Sequence, residues 1–383
     1  MKSSGPSALK TSGAAASASD AGDSPRLALR TNPGLAVVTL RRDGGGIAYS
    51  SRLFERALRQ FSSSTPWLLK LDPKRYDGVT IPERVSFASK LIAGQLSRQA
   101  DWLLFTHLNI ARVQNVVPAP VRLPYAVVLN DIEGWSADIP PDRVRAMKQA
   151  TLRIGISRYT ADRVMRAQPT VGEVVPCPLA LLPEPDTGAP DQAALAAIGS
   201  KSVLIAGRMN ANERYKGHDQ LLEAWPAVVA RVPEAQLVVT GSGDDVPRLK
   251  AKAQSLGIAD RVLFLGFVSD ATLSAIYPRL GVYAMPSQRE GFGLVYLEAM
   301  REGVPCIASR EDASGDTVVD GETGVLVTGQ NPREIAAAII GFLTDEARRV
   351  AFGSAGQRRY HQLFTFDRYA ARLFPLLQAA FEG

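Results

Sequence analysis

The chain has 383 residues, of which 46% are hydrophobic and 21% charged, and it contains two cysteines. Because this length exceeds what one core usually supports, we expect two domains, and the ordinary globular composition excludes fibres and coiled coils. No stretch approaches the roughly 18 apolar residues of a membrane span, and the N-terminus lacks the apolar core of a secretory signal. A cytoplasmic protein is therefore expected.

The positive charge of the chain is concentrated in its first half. Residues 1–177 hold 24 Lys and Arg against 14 Asp and Glu, whereas residues 178–383 hold 20 against 24. This asymmetry favours a phosphate-bearing substrate or peripheral binding to the anionic inner face of a membrane, although arginines on a solvated helical face would also produce it. Nucleic acid is not an expected partner, because the sequence has neither zinc-finger spacing nor basic runs interleaved with aromatics.

The order of apolar segments predicts two α/β domains. Residues 1–34 are rich in Ser, Ala and Gly and predict a disordered tail. From "LAVVTL" onward, apolar runs alternate with amphipathic stretches, which predicts parallel sheets with helices on both faces. A proline-rich stretch interrupts the series, and "KSVLIAG" restarts it. We predict Rossmann-like domains over 35–177 and 201–355, a linker over 178–200 and a bracing helix over 356–383.

The stretch "REGFGLVYLEAM", residues 289–300, carries two glutamates eight positions apart. Glu290 follows an apolar strand, and the surrounding proline and glycines place it in a loop, whereas Glu298 lies on the next helix. The start of that helix offers free backbone amides for an anion, those of Phe292, Gly293 and Leu294. Each carboxylate can then accept a hydroxyl. A nucleotide-diphosphate sugar, with phosphates between two polyols, matches this arrangement, and an ordinary surface loop is the alternative.

Two further strand ends carry candidate donor residues. Arg208 follows "SVLIAG", and Lys216 comes eight residues later in "ERYKGHD". A guanidinium and an ammonium together match a diphosphate, although exposed loop cations without a ligand are common. Gly241 and Gly243 end another predicted strand in "VVTGSGDD", where they permit either close approach of a ligand or a simple turn.

The motifs "GR…YKG", "GSG", "VLFLGFV" and "EGFGLVYLEA", in this order, resemble the retaining, metal-independent glycosyltransferases with the B-type fold. The resemblance covers residues 35–383 and is strongest over 201–330. It implies an α/β fold of two doubly wound Rossmann-like domains that face each other across a cleft. It also implies retaining transfer of a hexose from GDP- or UDP-hexose, with mannose and glucose as candidates, in cell-surface polysaccharide synthesis. The resemblance implies a saccharide acceptor and no metal or other cofactor, and the basic first domain makes a polyprenyl-diphosphate-linked saccharide the leading acceptor hypothesis.

The resemblance assigns roles to residues of the second domain. Glu298 would bind the ribose hydroxyls, and Arg208 and Lys216 would neutralise the departing diphosphate. The sugar ring and distal phosphate would contact Glu290 and the amides of Phe292, Gly293 and Leu294. Two further donor contacts are implied. The backbone at Val268 would lie near the base, and Gly241 would contact the donor from the end of its strand. Because the loop from arginine to lysine is three residues longer than the family's commonest spacing, the placement of Arg208 stays open.

In the first domain, the resemblance places Gly45 of "DGGGIAYS" where backbone amides reach the diphosphate, and His107 of "LLFTHLN" facing the donor sugar. A flexible turn and a structural histidine are the alternatives. Asn130 and Asp131 stand where many relatives have His-Gly, which leaves acceptor handling open. Trp135 either stacks on an acceptor sugar or lies half-buried in the core.

Two other functions fit the same sequence. One is a nucleotide-sugar epimerase or sugar phosphorylase on the same fold, from which a transferase differs by acceptor-dependent release of the nucleotide. The other is a catalytically silent nucleotide-sugar-binding module, which the unusual Asn130 and Asp131 favour slightly.

Overall fold

The computed structural model describes residues 29–41, 45–73, 79–136, 138–183 and 188–383. The described strands form two six-stranded sheets that follow one another along the chain. All strand pairs within both sheets are parallel. This confirms the predicted α/β class with two doubly wound halves.

The first sheet has the strand order β2-β1-β3-β4-β5-β6. Its strands are β1 (Pro33–Val37), β2 (Trp67–Lys70), β3 (Trp102–Phe105), β4 (Tyr125–Leu129), β5 (Leu152–Gly155) and β6 (Val175–Pro176). The helices that connect them are α1 (Gly45–Phe61), α2 (Ile81–Leu96), α3 (Leu108–Ala111), α4 (Pro141–Gln149) and α5 (Arg158–Ala167).

The second sheet has the order β12-β11-β10-β7-β8-β9. Its strands are β7 (Ser202–Ala206), β8 (Gln236–Thr240), β9 (Val262–Gly266), β10 (Val282–Met285), β11 (Cys306–Ser309) and β12 (Gly324–Val327). Its helices and those that precede and follow it are α6 (Gln192–Ala196), α7 (His218–Arg231), α8 (Val246–Ser255), α9 (Asp270–Ile276), α10 (Leu294–Arg301), α11 (Ser314–Thr317), α12 (Pro332–Thr344), α13 (Glu346–Leu363) and α14 (Phe366–Phe381).

Helices cover both faces of each sheet because the central strands are apolar on both sides. Every residue of β3, β4, β7 and β10 is buried. A strand buried on both faces reads as a continuous apolar run rather than an alternating one, as "YAVVL" and "SVLIA" do. The strand order reverses in each sheet, between β1 and β3 and between β7 and β10. The carboxyl ends of strands beside such switch points form binding crevices.

The prediction of a disordered tail over residues 1–34 extends too far along the sequence. Its residues 1–28 lie outside the described residues, but residues 29–34 are structured. Leu29 is fully buried and its N–H donates to the carbonyl of Phe61 at 2.8 Å, and β1 already begins at Pro33. The backbone N–H groups of Arg30 and Thr31 donate to the carboxylate of Glu382, which lies at the other end of the chain. These partners order the segment despite its small residues.

The predicted bracing helix over 356–383 is two helices, α13 and α14. The last helix, α14, packs on the first half: the rings of Trp102 and Phe381 stack with centroids 4.3 Å apart, and those of Phe61 and Phe374 lie 4.6 Å apart. Near the junction of the two helices, the N–H of Leu181 donates to the carbonyl of Phe364 at 3.3 Å. The chain therefore passes between the halves twice, at points that touch each other. None of the helices in the described part of the chain has both the length and the apolar content that a membrane span requires.

Candidate active site

The carboxyl ends of the second sheet carry most of the predicted donor residues. Arg208 follows β7, Gly241 follows β8, Val268 follows β9 and Glu290 follows β10. Because parallel strands end at the same edge, these loops lie on one side of the sheet. How closely the side chains approach one another depends on the loops themselves.

The Lys216 loop packs directly on the loop that follows β10. The N–H of Gln288 donates to the carbonyl of Tyr215 at 3.0 Å. A side chain on Gly217, whose φ is +92°, would begin 2.8 Å from the carbonyl oxygen of Pro286, so only glycine fits this contact. This packing brings Lys216 and Glu290 together, and each changes the pKa of the other.

Glu290 lies in a tightly held loop. Its N–H donates to Oδ2 of Asp312 at 3.0 Å, and its carbonyl accepts from the N–H of Ala313 at 3.1 Å. Burial raises the pKa of Glu290, and the charge of Lys216 opposes this rise. The backbone amides of the next three residues face its carboxylate and oppose the rise as well, those of Gly291, Phe292 and Gly293. The carboxylate of Glu290 thus faces two of the three amides that were predicted to bind a ligand, those of Phe292 and Gly293.

Helix α10 begins at Leu294 without a side-chain cap. Gly293 precedes it with φ +86°, and a Cβ at this position would lie 2.4 Å from the ring of Tyr296. The Phe292 side chain is buried and packs against Phe364, and the Phe292 carbonyl accepts a hydrogen bond of 3.4 Å from the hydroxyl of Thr317. Amides at a helix start can form an anion site, but the Glu290 carboxylate faces those of Phe292 and Gly293, so an anion would have to displace it there. Binding of a phosphate by the amides of Phe292, Gly293 and Leu294 stays a prediction.

Glu298 lies on α10, in its second turn. Its Oε2 accepts a hydrogen bond of 2.8 Å from the hydroxyl of buried Tyr277. Burial raises the pKa of Glu298, and the Tyr277 hydrogen bond opposes the rise. The tyrosine fixes one carboxylate oxygen and leaves the other for a hydroxyl donor.

Arg208 and Lys216 share a carboxylate that the sequence interpretation missed. Arg208 Nη2 lies 2.6 Å from Oε1 of Glu213, and Lys216 Nζ lies 4.0 Å from the same oxygen. The side chains of Glu213 and Lys216 are only 12% and 14% exposed, whereas that of Arg208 is 59% exposed. Burial lowers the pKa of Lys216, and the charges of Glu213 and Glu290 raise it. The long loop therefore carries its own anion between the two cations.

Gly241 and Val268 have other surroundings. The N–H of Gly241 donates to the carbonyl of Gly266, and a Cβ on Gly241, at φ +122°, would lie 1.9 Å from the carbonyl oxygen of Gly207. Val268 and the 76% exposed Phe267 line a depression of about 520 Å³ with α6, and Lys216, Glu290 and Glu298 are not among the residues around it. The close approach of Gly207 explains why residue 241 is glycine, and the donor-binding roles of Gly241 and Val268 stay predictions.

Two predicted residues belong to the first half. Gly45 is the exposed first residue of α1, with φ +65° and open space around it, and residues 42–44 before it lie outside the described residues. His107 is buried at the start of α3: its Nδ1 accepts from the N–H of Asn109 at 3.0 Å, and its Nε2 lies 3.9 Å from Oε1 of Glu133. In this structure both ring nitrogens of His107 face protein groups.

The two halves meet beside Glu290. A Cβ on Gly291 would lie 2.4 Å from the carbonyl oxygen of Asn130, so the end of β4 contacts the Glu290 loop. The next residue, Asp131, has its pKa raised to about 7 by burial and by the charges of Glu133 and Glu290. Asp131 is therefore a member of this site. Its only signal in the sequence is that Asn130 and Asp131 stand where many relatives have His-Gly.

Trp135 packs within the first half: its ring meets that of Tyr159 edge-on at 6.0 Å. Among the described residues, no group of three or more His, Cys, Asp and Glu side chains is placed to hold a metal ion.

The family model described as glycosyl transferases group 1 matches residues 195–359. A GDP-mannose-dependent alpha-(1-6)-phosphatidylinositol monomannoside mannosyltransferase of Mycolicibacterium smegmatis is 31% identical over 266 residues, which cover 65% of this chain and 68% of that protein. The enzyme with the same description from Mycobacterium tuberculosis H37Rv is 36% identical over 170 residues, 43% of this chain and 44% of that protein.

Solved structures support the fold. Anabaena HepE in complex with UDP-glucose superposes with a TM-score of 0.71 at 18% identity, over 91% of this chain and all of that one. A sucrose-phosphate synthase from Thermosynechococcus elongatus gives 0.73 at 21% identity, over 92% and 99%. With the mannosyltransferase match spanning two thirds of its relative, the chain belongs to the group 1 family of glycosyl transferases.

Proposed function

We propose that this glycosyltransferase moves a hexose from a nucleotide-diphosphate sugar to a lipid-linked saccharide, with retention at the anomeric carbon and without a metal ion. The observation that carries the proposal is the packing of the Lys216 loop on the Glu290 loop, beside the uncapped start of α10. Positive side chains there, and the amides that the Glu290 carboxylate would vacate, would stabilise the charge of a departing diphosphate.

The proposed donor site follows the geometry of the second half. Glu298, fixed by Tyr277, would accept the ribose hydroxyls, and Glu290 would turn from the amides to the sugar hydroxyls when phosphate takes its place. Lys216 and Arg208 would bind the diphosphate after Glu213 is displaced. The donor residues with less structural support are Gly45, His107, Gly241 and Val268.

The reaction would need no dedicated base. The bond between the anomeric carbon and the diphosphate breaks, and the acceptor oxygen bonds to that carbon on the same face. The proton of the acceptor hydroxyl passes to the departing phosphate. Contact of Asn130 with Gly291 beside the site would exclude water, because hydrolysis competes with transfer.

GDP-mannose is the first donor to test, because the mannosyltransferase relatives are described as dependent on it. Those relatives are also described as acting on a phosphatidylinositol mannoside, so this lipid is the first acceptor, before a polyprenyl-diphosphate-linked saccharide. UDP-glucose and UDP are the comparison ligands, because HepE has been solved with them.

A peripheral position on an anionic membrane is part of this proposal. Helix α2 exposes Ile81 by 76% and Val85 by 58%, and Arg84 next to them in the sequence is exposed too. Apolar and basic side chains on one exposed helix suit the surface of an anionic bilayer. The protein should co-sediment with vesicles that contain phosphatidylinositol, and replacing Ile81 and Val85 by serine should release it. Equal sedimentation of both proteins would rule out α2 as the contact.

The test of function is transfer of labelled mannose from GDP-mannose to phosphatidylinositol mannoside in the presence of a chelator. Glu290→Ala and Lys216→Ala should each lower kcat/KM by about a hundredfold to a thousandfold. Matched controls are Glu346→Ala and Lys70→Ala, which change surface ion pairs of α13 and of β2 and should leave the rate unchanged.

Three outcomes would overturn parts of this proposal. Unchanged turnover in both site variants would reject the site, and loss of activity in the chelator would reject metal independence. Nucleotide release that does not depend on an acceptor would point to an epimerase or a phosphorylase. The anomeric configuration of the product, measured by NMR, tests retention.

A further inference from the structure

The first turn of α5, in the first half of the chain, is bonded at three points to the second half. The N–H of Tyr159 donates to Oδ2 of Asp316 at 2.9 Å, and its hydroxyl donates to the carbonyl of Glu311 at 2.9 Å. The hydroxyl of Thr160 donates to the carbonyl of Gly291 at 3.3 Å. Gly291 is the residue that follows Glu290, so this contact reaches the active-site loop itself.

Asp316 completes the cap of α5 from the opposite half. The first amides of a helix have no partner inside it, and Ser157 satisfies only that of Thr160. The carboxylate of Asp316 takes the amide of Tyr159 and also lies at the positive end of the helix dipole. An acidic residue contributed by the other half therefore stabilises α5 only while the halves are together.

The segment that holds α5 also holds Glu290. We call residues 311–317 the bridging segment. On one side its Asp312 and Ala313 bond to the N–H and carbonyl of Glu290, at 3.0 and 3.1 Å. On the other side its residues accept the two Tyr159 hydrogen bonds. The bridging segment is therefore common to the contact between the halves and to the backbone of Glu290.

The bridging segment is stiff enough to transmit a displacement. Asp312 is 4% exposed, and Ala313, Ser314 and Thr317 are completely buried. The guanidinium of Arg359, on α13, donates to the carbonyls of Asp316 and Thr317, both at 2.9 Å. Buried residues with satisfied hydrogen bonds move as one unit rather than deform individually.

On the first-half side, Tyr159 is held in place by its neighbours. The ring of Trp135 packs on it, and the Arg163 guanidinium lies over both rings and bonds to the Tyr159 hydroxyl. Tyr159 is therefore held by its own half, as the bridging segment is held by Arg359 in the other.

We propose that Tyr159 and Asp316 are positioning residues for transfer, which hold the first half against the bridging segment and thereby set the position of Glu290. This rests on the proposed function only in assigning Glu290 to the reaction. Without the two residues, the second half would still bind nucleotide, but Glu290 and the first half would be displaced from the sugar.

The test uses Asp316→Ala and Tyr159→Phe in the full chain. Tyr125→Phe is the matched control, because it also removes a tyrosine hydrogen bond to a carbonyl, here that of Ala146 within the first half. For both test variants we expect a ten- to hundredfold loss of kcat, since a displacement of about 1 Å has effects of this size. We expect less than a twofold change in Kd for GDP, measured by calorimetry, and a larger share of donor lost to water. Tyr125→Phe should lower Tm and leave kcat unchanged.

X-ray scattering of the ligand-free proteins provides a readout that does not depend on activity. Asp316→Ala should have a larger radius of gyration than the wild type, and Tyr125→Phe should not. The inference is overturned if kcat is unchanged in both test variants, or if kcat, GDP binding and Tm fall in parallel. If the wild type transfers no sugar at all, the proposed function fails, and an unchanged radius of gyration in Asp316→Ala would then reject the contact between the halves as well.

Discussion

Glu213 occupies the space between the two cations that a diphosphate would need. Its carboxylate is 2.6 Å from Arg208 and 4.0 Å from Lys216, and a donor must displace it or bind beside it. Like charge next to a phosphate weakens binding, so the residue acts as a competitor built into the loop.

We therefore expect Glu213→Gln to bind GDP about three- to tenfold more tightly than the wild type, which corresponds to roughly 1 kcal/mol for a partly exposed pair. Isothermal titration calorimetry measures the difference. Glu223→Gln is the control, because it breaks a glutamate–lysine pair with Lys252 on other helices. Weaker binding by Glu213→Gln would show instead that Glu213 orients the cations.

Asp131 makes the stability of the ligand-free protein depend on pH. Its pKa rises from 3.8 to about 7 through burial and through the charges of Glu133 and Glu290, while Arg289 opposes the rise. A carboxyl whose pKa is higher in the folded state binds more protons when folded. Its contribution to the free energy of unfolding is therefore lost as pH rises from about 4 to 7.

Asp131→Asn removes this penalty and should be more stable than the wild type at pH 8, but not at pH 4. The full shift would correspond to about 4 kcal/mol, and we expect about 1–2 kcal/mol because water reaches this half-buried group. Urea unfolding at the two pH values measures the difference. A variant that is equally stable or less stable at pH 8 would contradict this assignment.

At the scale of elements, α14 belongs to the core of the first half although it is the last helix of the chain. Phe374 is completely buried against Phe61, and Phe54 meets Tyr369 edge-on at 5.8 Å. The first sheet therefore cannot bury its apolar face until the whole chain has been made.

Phe374→Ala should lower the free energy of unfolding by about 3–5 kcal/mol, because it leaves a cavity between α1 and α14. Val350→Ala, on the exposed side of α13, should change it by less than about 0.5 kcal/mol. Urea denaturation measures both. A loss below 1 kcal/mol for Phe374→Ala would mean that α14 is not part of this core.

Local patterns predicted the elements and their strand-end residues, because a buried strand followed by glycine or proline specifies where a loop begins. Lys216 and Glu290 could be placed on one edge of a sheet for this reason. The ordering of Leu29 and the cap of α5 could not be predicted from local patterns, because their partners lie far along the chain. Tyr159 and Asp316, for example, are 157 residues apart. Glu213 was missed because a glutamate in a polar loop has no periodic signal.

At the scale of the whole molecule, the two sheets face each other where Asn130 meets Gly291, and the last helix ties the end of the chain to its beginning. A donor bound in the second half would then present its sugar to the first half. The basic first half would at the same time face an anionic acceptor, which would account for the uneven distribution of charge along the sequence.

The most direct test of the account is the thermal shift of the wild type and Lys216→Ala with a panel of nucleotide sugars in chelator. A ligand present at a hundred times its Kd stabilises the folded protein by about 2.7 kcal/mol. We predict that a nucleotide-diphosphate sugar, GDP-mannose first, raises the Tm of the wild type and leaves that of Lys216→Ala nearly unchanged. No shift with any nucleotide sugar, or the same shift in both proteins, would contradict the proposed donor site.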